Sequence, residues 1–282
     1  MKNNNNVKLE KQLAMDDSRK VENTHNDRNI FLGDSRTPSQ SGILAGNCKG
    51  ECWTNQDNTL AVTYSYPVGG CGVFGEIVDR KSSETFFAEV FEKLKNLGIN
   101  EFEFAAEDKK LREDILELFS DRTIDSEMEY SYRISEKPAQ HVGNLEGYTI
   151  EKLTKTFLEE MDKKKYKNSS MVTERLETCW QTVEDFLNQS SAFVAIKDGE
   201  LAGVIFGSGR FQEFLAIDIE VAEEHRRQGI AKELALSFID DCTARGIMPQ
   251  WDCVESNTAS VHLAESLGLV RIKERPIYWF GI

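Results

Sequence analysis

The sequence predicts the α/β (α+β) fold class, with strands and helices alternating through two related lobes. Three observations support this prediction. Apolar residues alternate with a period of two in some segments and recur at helical spacing in others, as in strands and amphipathic helices. The same order of segments recurs at an offset of about 145 residues, which indicates a duplicated unit. One tight turn, at residues 226–231, joins a strand directly to a helix.

The charge balance disfavours some partners and favours others. The chain of 282 residues carries 34 Lys and Arg against 48 Asp and Glu, a formal net charge of −14. Such a charge disfavours nucleic acid and anionic membrane surfaces and favours a cationic substrate, although solubility alone explains it equally well. With 40% hydrophobic residues the chain can bury a sizeable core, in one large domain or two ordinary ones.

The N-terminus and the cysteines bear on location and on metal binding. No apolar run is long enough to cross a bilayer, and the start of the chain lacks the apolar region of a secretion signal. We therefore expect a cytoplasmic protein whose six cysteines are reduced. A metal site at Cys48, Cys52 and Cys71 is disfavoured, because their spacing is poor for zinc and no second Cys-x-x-Cys pair follows.

The first half of the chain divides into a leader and a lobe. Residues 1–40 are rich in Asn, Asp, Lys and Ser, which predicts a flexible leader with a short helix at residues 7–15. Residues 41–140 predict an N-terminal α/β lobe with the order β, β, α, β, α, β. Its first helix, at residues 84–97, presents a face of Phe87, Val90, Phe91 and Leu94.

A polar linker at residues 135–147 leads into the second lobe, assigned to residues 141–282. A strand opens this lobe. Thr173 caps a predicted helix that reaches Leu187, and Trp180 within it is expected to lie in the core. Two strands then form a hairpin around the dipeptide at residues 198–199, Asp-Gly, which is a strong turn signal.

The strand, turn and helix at residues 217–246 predict an anion site. Apolar residues alternate with Asp218 and Glu220 along the strand, and helical spacing begins at Ile230. The first turn of a helix offers unpaired N–H groups and the positive end of the helix dipole, and glycine lets an anion approach the backbone. The turn is Arg226, Arg227, Gln228, Gly229, Ile230 and Ala231. An ordinary cap of a surface helix would look similar.

The corresponding turn of the first lobe lacks these properties. Residues 79–84, DRKSSE, contain no glycine. Side chains at this turn would keep a pyrophosphate away from the backbone, and the carboxylates of Asp79 and Glu84 would repel it. We therefore predict that the first lobe is structural or shapes the acceptor site.

A longer pattern surrounds the turn of the second lobe. The turn follows a strand and precedes a helix at residues 232–245, a strand at 250–254 and a short helix at 257–269 (NTASVHLAESLGL). This order resembles the GNAT superfamily of acyl-CoA-dependent N-acetyltransferases. More narrowly, the stretch that begins PQWDC is similar to the GNAT family that includes the zwittermicin-type antibiotic self-resistance acetyltransferase. The resemblance implies a GNAT-type mixed sheet flanked by helices in the C-terminal lobe, beside a degenerate GNAT-like N-terminal lobe.

The resemblance also implies a reaction and its participants. Acetyl-CoA would be the co-substrate, without a metal, and the acceptor would be a primary amine of a small, cationic molecule. The acetyl group would pass directly in a ternary complex. The turn would hold the pyrophosphate, Ile219 and Val221 would pair with the pantetheine arm through their backbones, and Asn257 would contact CoA. Neither nucleic acid nor membrane is an expected partner, and the oligomeric state is left open.

Proton transfer from the amine calls for a base. An alkyl ammonium has a pKa of about 10.4, so a carboxylate that relays its proton is useful. Asp218 and Glu220 point away from the apolar face of their strand, beside the expected thioester, and Glu220 is favoured as the base. The alternative, of equal weight, is that both are ordinary solvent-facing or salt-bridged carboxylates.

The tyrosine that the resemblance implies as general acid is missing from this sequence. Many GNAT enzymes place a tyrosine seven residues after the Asn that opens the second short helix, and here that position is Ala264. Ser260 or water would protonate the thiolate, or no acid is needed. Asp252 and Asn257 are further candidates for contacts with substrate or CoA, although Asn257 suits a helix cap equally well. The missing tyrosine leaves open a non-catalytic acyl-CoA-binding regulatory protein, and a protein or peptide N-acetyltransferase would differ only in its acceptor.

Overall fold

The structure, a computed structural model, describes residues 31, 33–134 and 145–282, which form one mixed sheet of eleven strands with helices packed on it. The strands in this part of the chain are β1 (Glu51–Thr54), β2 (Leu60–Tyr64), β3 (Cys71–Gly75), β4 (Glu101–Ala105), β5 (Asp125–Ile134), β6 (Thr149–Lys152), β7 (Ala192–Lys197), β8 (Glu200–Phe211), β9 (Phe214–Val221), β10 (Met248–Val254) and β11 (Leu269–Gly281). The helices are α1 (Pro38–Leu44), α2 (Arg80–Asn96), α3 (Lys109–Leu118), α4 (Lys155–Lys164), α5 (Ser170–Cys179), α6 (Val183–Gln189), α7 (Ile230–Ala244) and α8 (Thr258–Ser266). Among the described residues, no helix is long and apolar enough to cross a membrane.

The two halves of the chain exchange their last strands. The order in the sheet is β1-β2-β3-β4-β11-β5-β10-β9-β8-β7-β6. Thus β5, from the first half, lies between β10 and β11, and β11 lies between β4 and β5. The elements β3-α2-β4-α3-β5 recur as β9-α7-β10-α8-β11, and the pairs β3–β4 and β9–β10 are both parallel. The repeat predicted from the sequence is present in this topology, and the predicted mixed α/β fold class is confirmed.

Each half of the sheet carries its own hydrophobic cluster. The first cluster is rich in phenylalanine and includes Phe87, Phe91 and Phe102, while the second is larger and includes Phe206 and Phe238. Fully burying one such side chain contributes roughly 1.5–3 kcal/mol of hydrophobic free energy. The strand exchange links the clusters, because β11 supplies Phe280 to the first and β5 supplies Tyr132 to the second.

Helices cover both faces of the second half of the sheet. Consecutive side chains of a strand point to opposite faces. The side chains of Val221 in β9 and Leu234 in α7 lie next to Gly203 on one side of the sheet. On the other side, Glu220 forms an ion pair with Arg175 of α5. We call these two sides of the sheet the α7 face and the α5 face. The chain after α1 is tied to the α5 face, since the Lys49 N–H donates to the Cys179 carbonyl at 2.9 Å.

The predicted leader, residues 1–40, overlaps the fold at its C-terminal end. Residues 33–40 belong to the fold, and Pro38 and Gln40 are buried at the start of α1. The Gln40 amide donates to the Gly70 carbonyl at 2.9 Å and accepts from the Thr63 hydroxyl at 2.7 Å. Polar residues can be ordered when they satisfy buried backbone groups of another segment, which composition alone does not reveal. The predicted helix at residues 7–15 and the linker residues 135–144 lie outside the described residues.

The single helix predicted from Thr173 to Leu187 is two helices. α5 ends at Cys179, and Trp180 adopts extended backbone angles, φ −127° and ψ 149°. Its indole N–H donates to the Gly207 carbonyl at 2.9 Å, and the side chain is fully buried, as predicted. A new cap at Thr182 then starts α6. Strand β1 and helices α1 and α4 were not predicted, because their apolar patterns are short or broken by charged residues, and β11 was predicted only through the repeat.

Candidate active site

A slot opens between β9 and β10. These parallel strands pair through three residue pairs, of which the last joins Ala216 to Gln250. Beyond this point β9 runs on to Val221 and β10 to Val254, each paired only with its outer neighbour, β8 or β5, within the described residues. The inner edges of both strands are therefore left with unpaired backbone groups. Ile219 and Val221 lie on this open edge of β9, where the predicted pantetheine contacts require them.

The turn at the end of the slot presents backbone donors. Gly229 is the N-cap of α7 and has a φ of 82°, a value that side-chain-bearing residues rarely adopt. Among the described residues, a Cβ atom there would come within 4 Å of Leu145 alone, at 3.4 Å. The backbone N–H groups of residues 227–231 find no acceptor in the described part of the chain. These free donors and the helix dipole are the features on which the predicted anion site depends.

Three side chains brace this turn. The Tyr148 hydroxyl lies 2.9 Å from Nδ1 of His225 and donates to the Gln228 amide oxygen at 2.8 Å. The guanidinium of Arg226 donates to the Val221 carbonyl at 3.2 Å. Sequence reasoning missed Tyr148, because it lies at the far end of the lobe, before β6. The bonds hold Gln228 and Arg226 against the protein, while Arg227 extends from the turn with an exposed side chain.

Both predicted carboxylates of β9 are bound by one arginine. Nε of Arg175 lies 2.8 Å from Asp218, and one of its terminal nitrogens lies 3.0 Å from Glu220. The Arg175 side chain is 13% exposed, and its guanidinium also donates to the Met171 carbonyl at 2.8 Å. This arrangement is the salt-bridged alternative of the sequence analysis. Sequence reasoning missed Arg175, which stands in the middle of a helix with no motif around it.

The residues near α8 form a capped helix start. The Asn257 side chain accepts from the Ser260 N–H at 3.1 Å and caps α8. The Ser260 hydroxyl in turn accepts from the Trp251 indole at 2.8 Å, which places it on the α7 face next to β10. Ala264, at the position of the expected tyrosine, is fully buried and offers no proton donor. Asn257 is thus committed to a cap through one atom, and its amide NH₂ is available for another contact.

Asp252 lies on the open part of β10. Its carboxylate oxygens accept from the Gln250 amide at 3.0 and 3.1 Å. Burial, and next the nearby Glu129 carboxylate, raise the pKa of Asp252 to about 6 against the favourable bonds from Ser131 and Gln250. An acid of this pKa is mostly ionised at neutral pH and becomes neutral only in mild acid.

In the first half, the turn equivalent to residues 226–231 is capped by a side chain. β3 and β4 pair through Cys71 with Phe104 and Gly72 with Ala105 and then separate. The carboxylate of Asp79 accepts from the Ser82 N–H at 2.7 Å and so occupies a donor at the start of α2. This geometry agrees with the prediction that residues 79–84 do not bind a pyrophosphate, because a side-chain anion already stands there.

Comparisons with known proteins agree with this fold. The sequence model of the GNAT acetyltransferase family matches residues 28–278. An uncharacterized N-acetyltransferase of Bacillus subtilis (strain 168), YdfB, is 32% identical over 109 residues, which are 37% of this chain and 40% of that protein. The match therefore spans less than half of the Bacillus protein.

Two solved structures show the likeness over nearly the whole length. A GCN5-related N-acetyltransferase-like protein from Streptococcus suis 89/1591 has a TM-score of 0.58 at 17% identity, over 97% of each chain. A tandem GNAT protein from the clavulanic acid biosynthesis pathway has a TM-score of 0.50 at 12% identity, over 95% of this chain and 91% of its own. At such identities the likeness concerns the fold, and it includes the doubling of the GNAT unit.

Proposed function

Because the chain belongs to the GNAT acetyltransferase family, and with it to the acyltransferase class of enzymes, we propose that it transfers the acetyl group of acetyl-CoA to a primary amine of a small, cationic acceptor. The observation that carries this proposal is the slot between β9 and β10, which ends at a turn of unpaired backbone donors. A long, thin molecule with a phosphate group at one end and a hydrogen-bonding amide arm would match both features.

The residues of the slot would each bind one part of acetyl-CoA. Backbone donors at residues 227–231 would hold the pyrophosphate, aided by the charge of Arg226 and Arg227. The open edge of β9 at Ile219 and Val221 would pair with the amides of the pantetheine arm, as an added strand does. Asn257 would contact CoA with its free amide. Residues 141–282 would then be the catalytic domain, and residues 41–140 a lobe without a phosphate turn.

We infer direct transfer in a ternary complex, because the side chains of Asp218 and Glu220, on the α5 face beside the slot, are 32% and 49% exposed and so within reach of an acceptor. The acceptor amine would enter from the α5 face and attack the thioester carbonyl carbon. A C–N bond forms, the C–S bond breaks, and CoA leaves as a thiol. Acidic side chains on this face, together with the net charge of −14, favour a cationic acceptor. The narrower sequence resemblance adds aminopolyol antibiotics to the acceptors worth testing.

The experiment is an acetyl-CoA assay with a panel of amines, read as release of free thiol. The panel contains polyamines, aminoglycosides, amino acids and aminopolyol antibiotics. We expect thiol release with at least one cationic member and a product heavier by one acetyl group. Binding of acetyl-CoA by calorimetry without thiol release for any amine would instead favour the non-catalytic, acyl-CoA-binding alternative.

We also propose a cytoplasmic location. Five cysteines, Cys48, Cys71, Cys179, Cys242 and Cys253, are free thiols, although several of them are buried in the same cluster. Free thiols in this number are typical of proteins from a reducing compartment. Fractionation of cells that express the protein from its own promoter tests this proposal.

A further inference from the structure

The register of the sheet brings a third carboxylate to the slot. Ala216 and Gln250 are the last paired residues of β9 and β10, so the next residues that share their face are Asp218 and Asp252. Asp218 reaches Arg175 of α5, which identifies this as the α5 face. Asp218 and Asp252 therefore flank the opening of the slot on the face from which the acceptor would enter.

The two carboxylates of β9 already share one cation. The Arg175 guanidinium contacts both Asp218 and Glu220, at 2.8 and 3.0 Å, and is itself largely buried. An ammonium group that sought Glu220 would compete with a cation already held in place by the Met171 carbonyl. The ion pairs of Asp218 and Glu220 with Arg175 are thus better suited to fix β9 against α5 than to accept a proton.

Asp252, unlike the two carboxylates of β9, is hydrogen-bonded by a neutral group. Within the described residues, no Lys, Arg or His nitrogen lies within 4.0 Å of its carboxylate, which is hydrogen-bonded by the neutral amide of Gln250. That amide is fixed in orientation, since its oxygen accepts from Arg133 at 2.7 and 3.0 Å and its NH₂ donates to the Arg36 carbonyl at 2.9 Å. The carboxylate is therefore held in place without a cation in direct contact, and the Arg133 and Arg275 guanidinium groups act on it only from a greater distance.

We propose that Asp252 is the residue that binds the acceptor's ammonium group and takes its proton, in place of Glu220. The inference rests on the proposed acetyl transfer and assigns the base of the same site. One proton passes from the ammonium to the Asp252 carboxylate, directly or through one water, and the neutral amine attacks the thioester. The second proton leaves the nitrogen after the C–N bond forms and ends on the departing sulfur. Asp252 returns its proton to solvent, so no other reactant is needed.

The charges around Asp252 agree with this role. Glu129 of β5 raises its pKa, while Arg275 of β11, Ser131 of β5 and Gln250 of β10 lower it, and burial is the largest effect. Arg275 is itself engaged by Glu129 and Glu107. Across the slot, Asp218 is paired with Arg175. The result, a pKa of about 6, keeps the carboxylate charged at neutral pH and near the range where a base works well.

The test compares pH profiles. For the amine of the panel that the wild-type protein acetylates best, kcat/KM should fall about tenfold per pH unit below about pH 6. Asp252→Asn, which keeps the shape of the side chain, should lower kcat/KM at pH 7 by roughly 10²- to 10⁴-fold and remove this acid limb. Calorimetry should show unchanged binding of CoA. Asp121→Asn, an exposed change in the first half, is the matched control and should retain the wild-type profile.

Glu220→Gln separates the two candidate bases. A smaller loss than for Asp252→Asn, with the acid limb retained, supports Asp252. An acid limb that survives in Asp252→Asn and disappears in Glu220→Gln overturns the proposal.

A ¹³C NMR titration of the aspartate carboxyl groups gives a readout that needs no acceptor. The resonance absent from Asp252→Asn should titrate near pH 6, and a midpoint below pH 4 overturns the assignment. Failure of the wild-type protein to acetylate any amine would count against the proposed function, and this titration would still decide the state of Asp252.

Discussion

At the scale of single residues, Gly229 meets two requirements of the proposed phosphate turn at once. Its φ of 82° favours glycine, and the absence of a side chain leaves the donors of residues 227–231 accessible. Gly229→Asp should abolish measurable CoA binding, because a carboxylate would stand where the pyrophosphate approaches. Calorimetry with CoA measures the effect.

The control for this change lies at the other end of the same helix. Gly246 has a φ of 68° and open space around it, so Gly246→Asp imposes a similar backbone strain, about 1–2 kcal/mol, far from the turn. Gly246→Asp should bind CoA normally. Wild-type affinity in a folded Gly229→Asp protein would remove the turn from the site.

Arg175 is expected to stabilise the packing of α5 against β9 at the slot. Arg175→Ala should lower the free energy of unfolding by about 1–3 kcal/mol, since it breaks charge-assisted bonds to Asp218 and to the Met171 carbonyl. Urea unfolding measures the change. Adding Asp218→Asn to Arg175→Ala should recover part of the loss, because it removes one unpaired charge. Additive losses in the double variant would mean that the two residues do not interact.

At the scale of elements, the segment before α1 ties the two halves together. The Ser35 carbonyl accepts from Arg133 at 2.8 Å and the Arg36 carbonyl from Gln250 at 2.9 Å, while α1 packs on β8 and β2. Arg133 and Gln250 also support Asp252. The segment is thus part of the wall of the site rather than an appendage.

Removal of residues 1–40 should therefore destabilise the protein. The deletion breaks the buried bonds of Gln40 and the two carbonyl contacts, each of which contributes about 1 kcal/mol, and it disrupts the start of α1. We expect a loss of at least about 3 kcal/mol in urea unfolding. Deletion of residues 1–27, ahead of the family match, is the comparison. Equal stability of the two truncated proteins would show that residues 28–40 contribute nothing.

At the scale of the whole molecule, the strand exchange makes the halves interdependent. β10 pairs with β5 through residues 129–133, and β11 pairs with β5 along residues 125–134. A fragment of residues 145–282 would expose both edges and leave β11 without either neighbour, which favours aggregation. Expressed alone, this fragment should be insoluble or bind no CoA.

Co-expression of residues 1–144 with this fragment should restore a soluble complex that binds CoA, because the missing strand is supplied in trans. Size-exclusion chromatography and calorimetry check both parts. A soluble, monomeric fragment with the CoA affinity of the full chain would contradict the structural role assigned to β5.

A comparison of the two units also predicts how many CoA molecules bind per chain. Two GNAT-like units are present, but Asp79 caps α2 where the second unit has Gly229 at the start of α7. A titration should saturate at one CoA per chain, because the donor turn exists in one unit alone among the described residues. Saturation at two CoA per chain would require a second site that residues 79–84 do not offer.

The sequence by itself determined the local features of this protein. The period of the apolar residues located most helices and strands, the Asp-Gly pair located the hairpin, and the turn at residues 226–231 located the donor site at the start of α7. These features depend on residues close together along the chain, whose spacing and turn preferences can be read directly.

Only the tertiary structure decided which distant groups meet. Arg175 reaches Asp218 across 43 positions of sequence, and Arg133 reaches Gln250 across 117. The spacing of apolar residues does not reveal such partners. They depend on the order and register of the strands in the sheet, and neighbouring strands can come from distant parts of the chain. Strand exchange placed β5 beside β10. The register across the slot left Asp252 without a cation in direct contact among the described residues, whereas Arg175 binds both carboxylates of β9.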